Sequence, residues 1–154
     1  MHSLSQNSKL MQVYADLGGT AYYVAAGTTA VTTAHVDTKG WSGVRFTVVL
    51  GACTDAGTIA VQLQGSATTS SFASLGATAL ASRTNSTSSY VPMVVEVNRP
   101  KYRYVNALIT PAVESSAISG VLVELYNKNG SIDPLADEAI VANVVVTPVV
   151  TESV

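Results

Sequence analysis

The residues with the greatest capacity for chemistry are few, and they are scattered along the chain. His35 and Asp37 alternate near the end of a predicted strand, so in principle their side chains could share a metal ion. A zinc site normally needs more ligands than this pair supplies. Cys53 lies in a predicted turn with no histidine nearby in sequence, which favours a packing residue over a nucleophile. These residues therefore predict neither a metal site nor a reactive thiol.

Motifs of the common enzyme classes are missing from the sequence. The segment Gly40-Trp-Ser-Gly43 is shorter than the Gly-x-Ser-x-Gly turn of serine hydrolases and lies at the start of a predicted strand. No glycine-rich segment ends in Gly-Lys-Ser/Thr, as a phosphate-binding loop would. The carboxylates are scattered, with no close pair to act as acid and base. The sequence thus predicts a protein that is not an enzyme, with no catalytic residue, no cofactor and no metal.

A short basic and aromatic stretch occupies residues 99–104, with the sequence Arg-Pro-Lys-Tyr-Arg-Tyr. Cations interleaved with aromatic rings can bind single-stranded nucleic acid. The formal net charge of the chain is −2, however, which gives no general attraction to nucleic acid. A solvated strand edge, where lysine blocks unwanted pairing, is the simpler interpretation. We therefore predict no nucleic-acid partner.

The composition favours a single globular domain. The chain has 154 residues, of which 47% are hydrophobic and 12% charged, so it can bury a sizeable core while carrying few charges. A surface of Ser and Thr hydroxyls suits a protein packed against other subunits, and it equally suits a plain β-rich domain. The single cysteine allows no internal disulfide. We find no secretory signal and no membrane-spanning apolar segment, so we expect no membrane partner.

Apolar residues recur with a period of two in the middle of the chain, which is typical of half-buried strands. Residues 43–65 are predicted to form a β-hairpin around a connection with glycine at both ends, residues 51–57. Alternation also predicts which residues form the core. They are Val44, Phe46, Val48, Ile59, Val61, Leu63, Val121 and Val123.

About eight short strands separated by turn residues are predicted, with no amphipathic helix of ordinary length. This pattern predicts an all-β fold, an antiparallel β-sandwich with a jelly-roll arrangement. The sandwich domain is assigned to residues 13–130, between an extended N-terminal arm at residues 1–12 and a C-terminal arm at residues 131–154. Residues 77–81 fit either a short strand or one helical turn, and Pro111 is predicted to end the strand that starts at Tyr102.

The C-terminal arm contains the β-branched, uncharged segment 140–150, which would aggregate if it were left in water. We therefore predict that this segment pairs with a neighbouring copy or with another protein. The alternative is that the arm returns to its own sandwich as a final strand. The predicted partner-binding residues are Ile140, Val141, Val144, Val145, Val146, Val149 and Val150.

Five segments of predicted strands and turns carry a resemblance to a known family. They are Asp37-Thr-Lys-Gly-Trp41, Val44-Arg-Phe-Thr-Val-Val-Leu-Gly51, Thr54-Asp-Ala-Gly-Thr58, Val61-Gln-Leu-Gln-Gly-Ser66 and Pro100-Lys-Tyr-Arg-Tyr-Val105. Together, over residues 31–126, they resemble small structural proteins of tailed bacteriophages, including capsid decoration (cement) proteins with jelly-roll or sandwich folds. The family has no catalytic residues to transfer to this chain.

The resemblance implies a structural virion protein. It would bind the outer surface of a phage capsid, often as a homotrimer, and clamp neighbouring subunits of the major capsid protein. The implied location is the capsid surface of the virion. The alternative is a carbohydrate-binding or head-fibre-like β-domain used for surface attachment, which would grip sugars with exposed aromatic rings. The candidate rings are Tyr22, Tyr23, Trp41, Tyr90, Tyr102 and Tyr104, for which packing in the core or at an interface is the favoured interpretation.

Overall fold

The computed structural model describes residues 8–13, 30–53, 57–83, 91–112, 116–128 and 142–143. These residues form ten strands and no helix. In chain order the strands are β1 (Ser8–Val13), β2 (Val31–Thr32), β3 (Val36–Asp37), β4 (Trp41–Cys53), β5 (Gly57–Ser66), β6 (Ala73–Arg83), β7 (Val91–Asn98), β8 (Tyr104–Ala112), β9 (Ser116–Lys128) and β10 (Ala142–Asn143).

The strands form two antiparallel sheets that pack face to face, so the predicted β-sandwich is confirmed. Sheet I has the order β1-β9-β4-β7-β10. Sheet II has the order β2-β8-β5-β6, and β3 also pairs with β8. Each long strand therefore has one face toward the core and one face away from it, which explains the period of two in the sequence.

Strand pairing is nested along the chain. β5 pairs with β6, β4 with β7, β2 and β3 with β8, and β1 with β9. Two further pairings, β4 with β9 and β5 with β8, join these nested pairs into the two sheets. The inner pairs are thus enclosed by the outer pairs, and most contacts join residues that are distant in sequence.

The core lies between the sheets and is built from alternate residues of each strand. Phe46 faces Val95 on one neighbouring strand and Val123 on the other, and all three side chains are fully buried. Sheet II contributes residues of β5 and β8, among them the fully buried Ile59 and Ile109. All eight predicted core residues are buried, because each lies at an inward position of its strand. The prediction from alternation is confirmed for this set.

The predicted hairpin over residues 43–65 is wrong. Its two strands exist as β4 and β5, but they lie in different sheets, and each pairs with other strands. The chain therefore crosses from one sheet to the other between them. Alternation identifies a strand and its buried face but carries no information about the strand with which it pairs.

Two local expectations are settled in sheet II. Residues 77–81 belong to β6, so the strand alternative is correct and the helical turn is not. Pro111 does not end its strand, because β8 continues through it to Ala112 and Pro111 pairs with Ile59. The strand also starts later than predicted, at Tyr104. Proline has no backbone N–H to donate to a neighbouring strand. Among the described strands, β2 begins opposite Ile109, so no described strand lies beside Pro111 on that side.

Both predicted arms contribute to sheet I. β1 begins at Ser8, inside the segment assigned to the N-terminal arm, and pairs with β9 along its whole length. In the C-terminal arm, Ala142 and Asn143 pair with Val97 and Glu96 of β7. The seven predicted partner-binding residues, from Ile140 to Val150, lie outside the described residues.

Candidate functional site: the basic end and the outer face of sheet I

Several connections meet at one end of the sandwich. β3 ends, β5 ends and β8 begins there, since Tyr104 pairs with both Asp37 and Ser66. In sheet I, β4 begins at this same end beside the ends of β7 and β9, since Gly43 pairs with Asn98 and Tyr126. Residues 38–40, 67–72 and 99–103 are the loops of this end. The basic and aromatic stretch that stands out in the sequence is one of these loops.

A buried threonine holds two of the loops together. The Thr38 side chain is fully buried, and its hydroxyl donates to the carbonyl of Arg103 at 2.9 Å. The Thr38 amide donates to the same carbonyl at 2.8 Å. The adjacent turn closes through a bond of 3.0 Å from the Trp41 amide to the Thr38 carbonyl, with Gly40 at a φ of +82° that favours glycine. This network fixes the backbone on which the charged side chains stand.

Asp37 and Arg103 form a two-pronged ion pair at this end. Arg103 donates from Nε to Oδ1 at 3.1 Å and from Nη2 to Oδ2 at 2.7 Å. The hydrogen bond from Arg103 lowers the pKa of the Asp37 carboxyl below its ordinary value, and a bond from the Lys39 amide acts in the same direction. Both side chains remain partly exposed, so the pair positions Arg103 rather than burying a charge.

This end of the sandwich is strongly cationic. Its loops and strand termini carry five cationic side chains, which we call the basic end: Lys39, Arg99, Lys101, Arg103 and Lys128. Asp37 is the one carboxylate on these loops and their flanking strand ends within the described part of the chain. The whole sequence contains eight Lys and Arg against ten Asp and Glu, so the positive charge is concentrated here although the chain is slightly acidic.

Histidine 35 belongs to an aromatic cluster. Its ring contacts Tyr104 edge-on, with centroids 5.4 Å apart, and lies tilted against Phe72 at 5.9 Å. The Asp37 carboxylate forms an ion pair with Arg103 and does not share a ligand site with His35. Within the described residues, no group of three or more His, Cys, Asp or Glu is arranged to hold a metal ion.

The tyrosine rings of this end are occupied by their own neighbours. Lys101 lies over the ring of Tyr102 at 5.7 Å, and Arg103 lies over the ring of Tyr104 at 5.0 Å. Tyr102 also packs so closely on Gly65 that a Cβ there would lie 2.7 Å from its Cδ2 atom. The rings therefore hold cations in place and leave little free face for a stacked base or sugar.

The side-chain amide of Asn106 is buried on the same strand as Tyr104. Asn106 follows Tyr104 on the outward side of β8, opposite Gln64, and yet its exposed fraction is only 4%. Its Oδ1 atom is buried without a hydrogen-bond partner in the described part of the chain. A buried unpaired carbonyl is unfavourable, and the described residues offer no compensating contact for it.

The outer face of sheet I carries a row of charges. Arg45 on β4 lies between Glu96 on β7 and Glu124 on β9, with nitrogen–oxygen distances of 3.0 and 3.6 Å. The phenol of Tyr126 donates a hydrogen bond to Glu96. Burial, together with this hydrogen bond, raises the pKa of Tyr126 well above its ordinary value. The row pairs one cation with two carboxylates, and it ties three strands together.

Beside this row lies a second surface, which is uncharged. Leu10 on β1 is 68% exposed and Leu122 on β9 is 38% exposed, the largest exposures among the described large hydrophobic side chains. They are diagonal neighbours, because Leu10 pairs with Glu124 and Gln12 pairs with Leu122. Thr47 and Val94 continue the row across the sheet. We call Leu10, Leu122, Thr47 and Val94 the neutral patch.

The structure brings together only part of what the sequence singles out. Tyr102, Tyr104 and the three cations of the 99–103 loop lie at one end with His35 and Asp37, whereas Trp41 is partly buried against the core. Tyr22, Tyr23 and Tyr90 lie outside the described residues. Sequence reasoning missed Phe72, Asn106 and the neutral patch. Leu10 stands beside Met11 in an otherwise polar segment, and only the strand register shows that it is exposed next to Leu122.

No protein-family model matches this chain, and no curated protein matches it significantly. In the residues described, no helix is long and apolar enough to cross a membrane. The basic end and the neutral patch are therefore the features from which a function can be inferred.

Proposed function

We propose that this chain is a structural virion protein that binds the outer surface of a phage capsid and stabilises the lattice by clamping major capsid subunits. It acts by binding alone, without catalysis or a cofactor. It is made in the host cytoplasm and resides on the capsid surface. The resemblance of its strands and turns to tailed-phage decoration proteins supplies the virion assignment. The nested strand pairing is what a jelly roll would give, and we infer that arrangement for the sandwich.

The observation that carries the proposal is the exposure of Leu10 and Leu122 as diagonal neighbours on the outer face of sheet I. Leu10 is 68% exposed in a β-strand that pairs with β9 and directs Val13 into the core. Apolar residues grouped on an exposed surface mark sites of protein association. Strands also present a flat, rigid surface, which suits repeated contacts in a lattice.

The neutral patch is suited to contacts between copies of the chain. A patch without charge can face a second copy without like-charge repulsion, whereas the basic end cannot. We therefore assign the neutral patch to a homo-oligomer, for which the resemblance favours a trimer. The predicted partner-binding residues between Ile140 and Val150 are proposed to reach a neighbouring copy or the capsid, beside Ala142 and Asn143, which pair with β7 of the same chain.

Light scattering and co-sedimentation test this function. The purified chain should be oligomeric and should sediment with shells of the major capsid protein encoded in the same genome. Leu10→Lys and Leu122→Lys should shift the chain toward monomer. Thr32→Lys, at an exposed position of sheet II, adds the same charge and should leave the molecular mass of the oligomer unchanged. A wild-type monomer that also fails to bind shells would contradict the proposal.

A second candidate function is carbohydrate binding, as in a head-fibre-like attachment domain. The aromatic cluster of His35, Phe72 and Tyr104, with the unpaired Oδ1 of Asn106 nearby, is the observation that favours it. The occupied tyrosine faces weigh against it. A glycan array with the wild type and Phe72→Ala separates the two functions, because specific glycan binding that is lost in the variant would favour the carbohydrate function.

A further inference from the structure

We infer that the basic end docks on a carboxylate-rich protein surface, which in the proposed function is the acidic part of a capsid subunit. The inference rests on the proposed function for the identity of the partner. The chemistry of the partner comes from the basic end itself.

The charge distribution defines the partner as anionic. Five cations project from this end, and Asp37 is the one carboxylate among the described residues of its loops and strand ends. Asp37 neutralises Arg103 only, since both of its oxygens face that guanidinium. No described carboxylate forms an ion pair with Lys39, Arg99, Lys101 or Lys128. Two such ends would repel each other, so the partner is a different surface and not the same end of a second copy.

Two of the five cations are held in position before binding. Arg103 is fixed by Asp37 and by the ring of Tyr104, and Lys101 lies over Tyr102. The backbone of the loop is tied by the bonds from Thr38 and by the bond of 2.5 Å from the Arg99 amide to the Ser42 carbonyl. Arg99 has a φ of +54°, outside the β region, so the chain turns at this residue and does not continue as a strand. Because fixed side chains lose less conformational entropy on binding, this arrangement favours binding of a partner at the basic end.

The same geometry favours a protein over a nucleic acid. Single-strand binding uses open aromatic faces on which bases stack, along a charged groove. Here Lys101 lies over the Tyr102 ring, which also packs on Gly65, and the Tyr104 ring contacts Arg103 and His35. What remains accessible is a set of separate cations, which matches scattered carboxylates on a protein surface.

The experiment measures fluorescence anisotropy of labelled poly-L-glutamate with the full chain, at about 0.1 M ionic strength, where the Debye length is about 10 Å and charges at the opposite end of the sandwich are screened. Lys101→Glu and Arg99→Glu should each weaken binding roughly fivefold or more. Arg83→Glu makes the same change in net charge at the opposite end of sheet II, where Arg83 pairs with Gly57, and should change binding less than about twofold. Lys101 and Arg99 are exposed, and circular dichroism checks that each variant is folded.

With the labelled polymers, three results would overturn the inference. The wild type could fail to bind poly-L-glutamate, Arg83→Glu could weaken binding as much as Lys101→Glu, or labelled poly(dT) could bind more tightly than poly-L-glutamate and be lost in Lys101→Glu. The capsid shells separate this inference from the proposed function. If the wild type and Lys101→Glu bind shells equally, the docking inference fails and the function stands. If the wild type does not bind shells but binds poly-L-glutamate as described, the proposed function is contradicted, and the inference that the basic end binds carboxylates is supported.

Discussion

The ring of Tyr126 on β9 lies across the backbone of Gly43 on β4, at a point where a Cβ atom would overlap the ring carbons. The two residues are register partners, and the phenol reaches past β4 to donate to Glu96 on β7. One side chain thereby spans three neighbouring strands of sheet I. Glycine is needed at position 43 for this close approach and not for an unusual backbone conformation.

Replacing Gly43 tests that contact. Gly43→Ala should destabilise the fold by about 1–3 kcal/mol, because the new methyl group forces the Tyr126 ring from its place. The matched control is Gly120→Ala on β9, where the nearest atom is the Gln12 amide nitrogen at 3.9 Å. The control should be neutral or stabilising by up to about 1 kcal/mol. Urea denaturation measures both, and equal effects at the two positions would contradict the described packing.

The phenol of Tyr126 should give alkaline pH dependence. Its pKa is raised in the folded state, so its stabilising effect is complete below the unfolded value of about 10 and declines as the pH rises above it. Tyr126→Phe should cost about 0.5–1.5 kcal/mol at neutral pH, and the difference from wild type should shrink above pH ~10. Ultraviolet titration of the seven tyrosines should show that the variant lacks a late-ionising phenol. Loss of a normally ionising phenol instead would refute this account.

Phe46 should be the most costly single truncation in sheet I. Its ring is fully buried between Val95 and Val123, so Phe46→Ala should lower the free energy of unfolding by about 3–5 kcal/mol. Thr32→Ala, at an exposed position, should change it by no more than about 0.5 kcal/mol. Chemical denaturation gives both values. A loss below about 1 kcal/mol for Phe46→Ala would mean that the ring is not in the core.

Deleting residues 131–154 separates attachment from folding. The nested pairs β1–β9, β2–β8, β4–β7 and β5–β6 all lie before residue 131, and the deleted segment contributes only Ala142 and Asn143 to described pairing. We expect a cooperatively unfolding sandwich that no longer binds shells or no longer oligomerises. Circular dichroism and light scattering check this. An unfolded monomer would mean that the segment is part of the core, as the alternative interpretation of the sequence holds.

The core could be predicted from the sequence because burial follows strand alternation. Val44 to Leu50 and Ile59 to Leu63 have the same period in a hairpin or in two sheets, so their buried faces were predicted correctly and their partners were not. Pairing depends on connections and on register over long separations, which local patterns do not encode.

The two candidate surfaces were harder to predict for the same reason. Asp37 and Arg103 are 66 residues apart, and only the pairing of β3 with β8 brings them together. The basic stretch was visible in the sequence, but its neighbours were not. Leu10 was assigned to an arm, and its exposure next to Leu122 depends on the pairing of β1 with β9.

Cryo-electron microscopy of the particles assembled by the source genome tests the central claim most directly. Mass spectrometry should detect the chain in purified particles. The reconstruction should then show a β-sandwich repeated over the outer capsid lattice, in contact with more than one major capsid subunit. Particles made without the gene should lack that density and lose integrity at lower temperature or salt. Particles that never contain the chain, or that carry it only away from the capsid shell, would contradict the account.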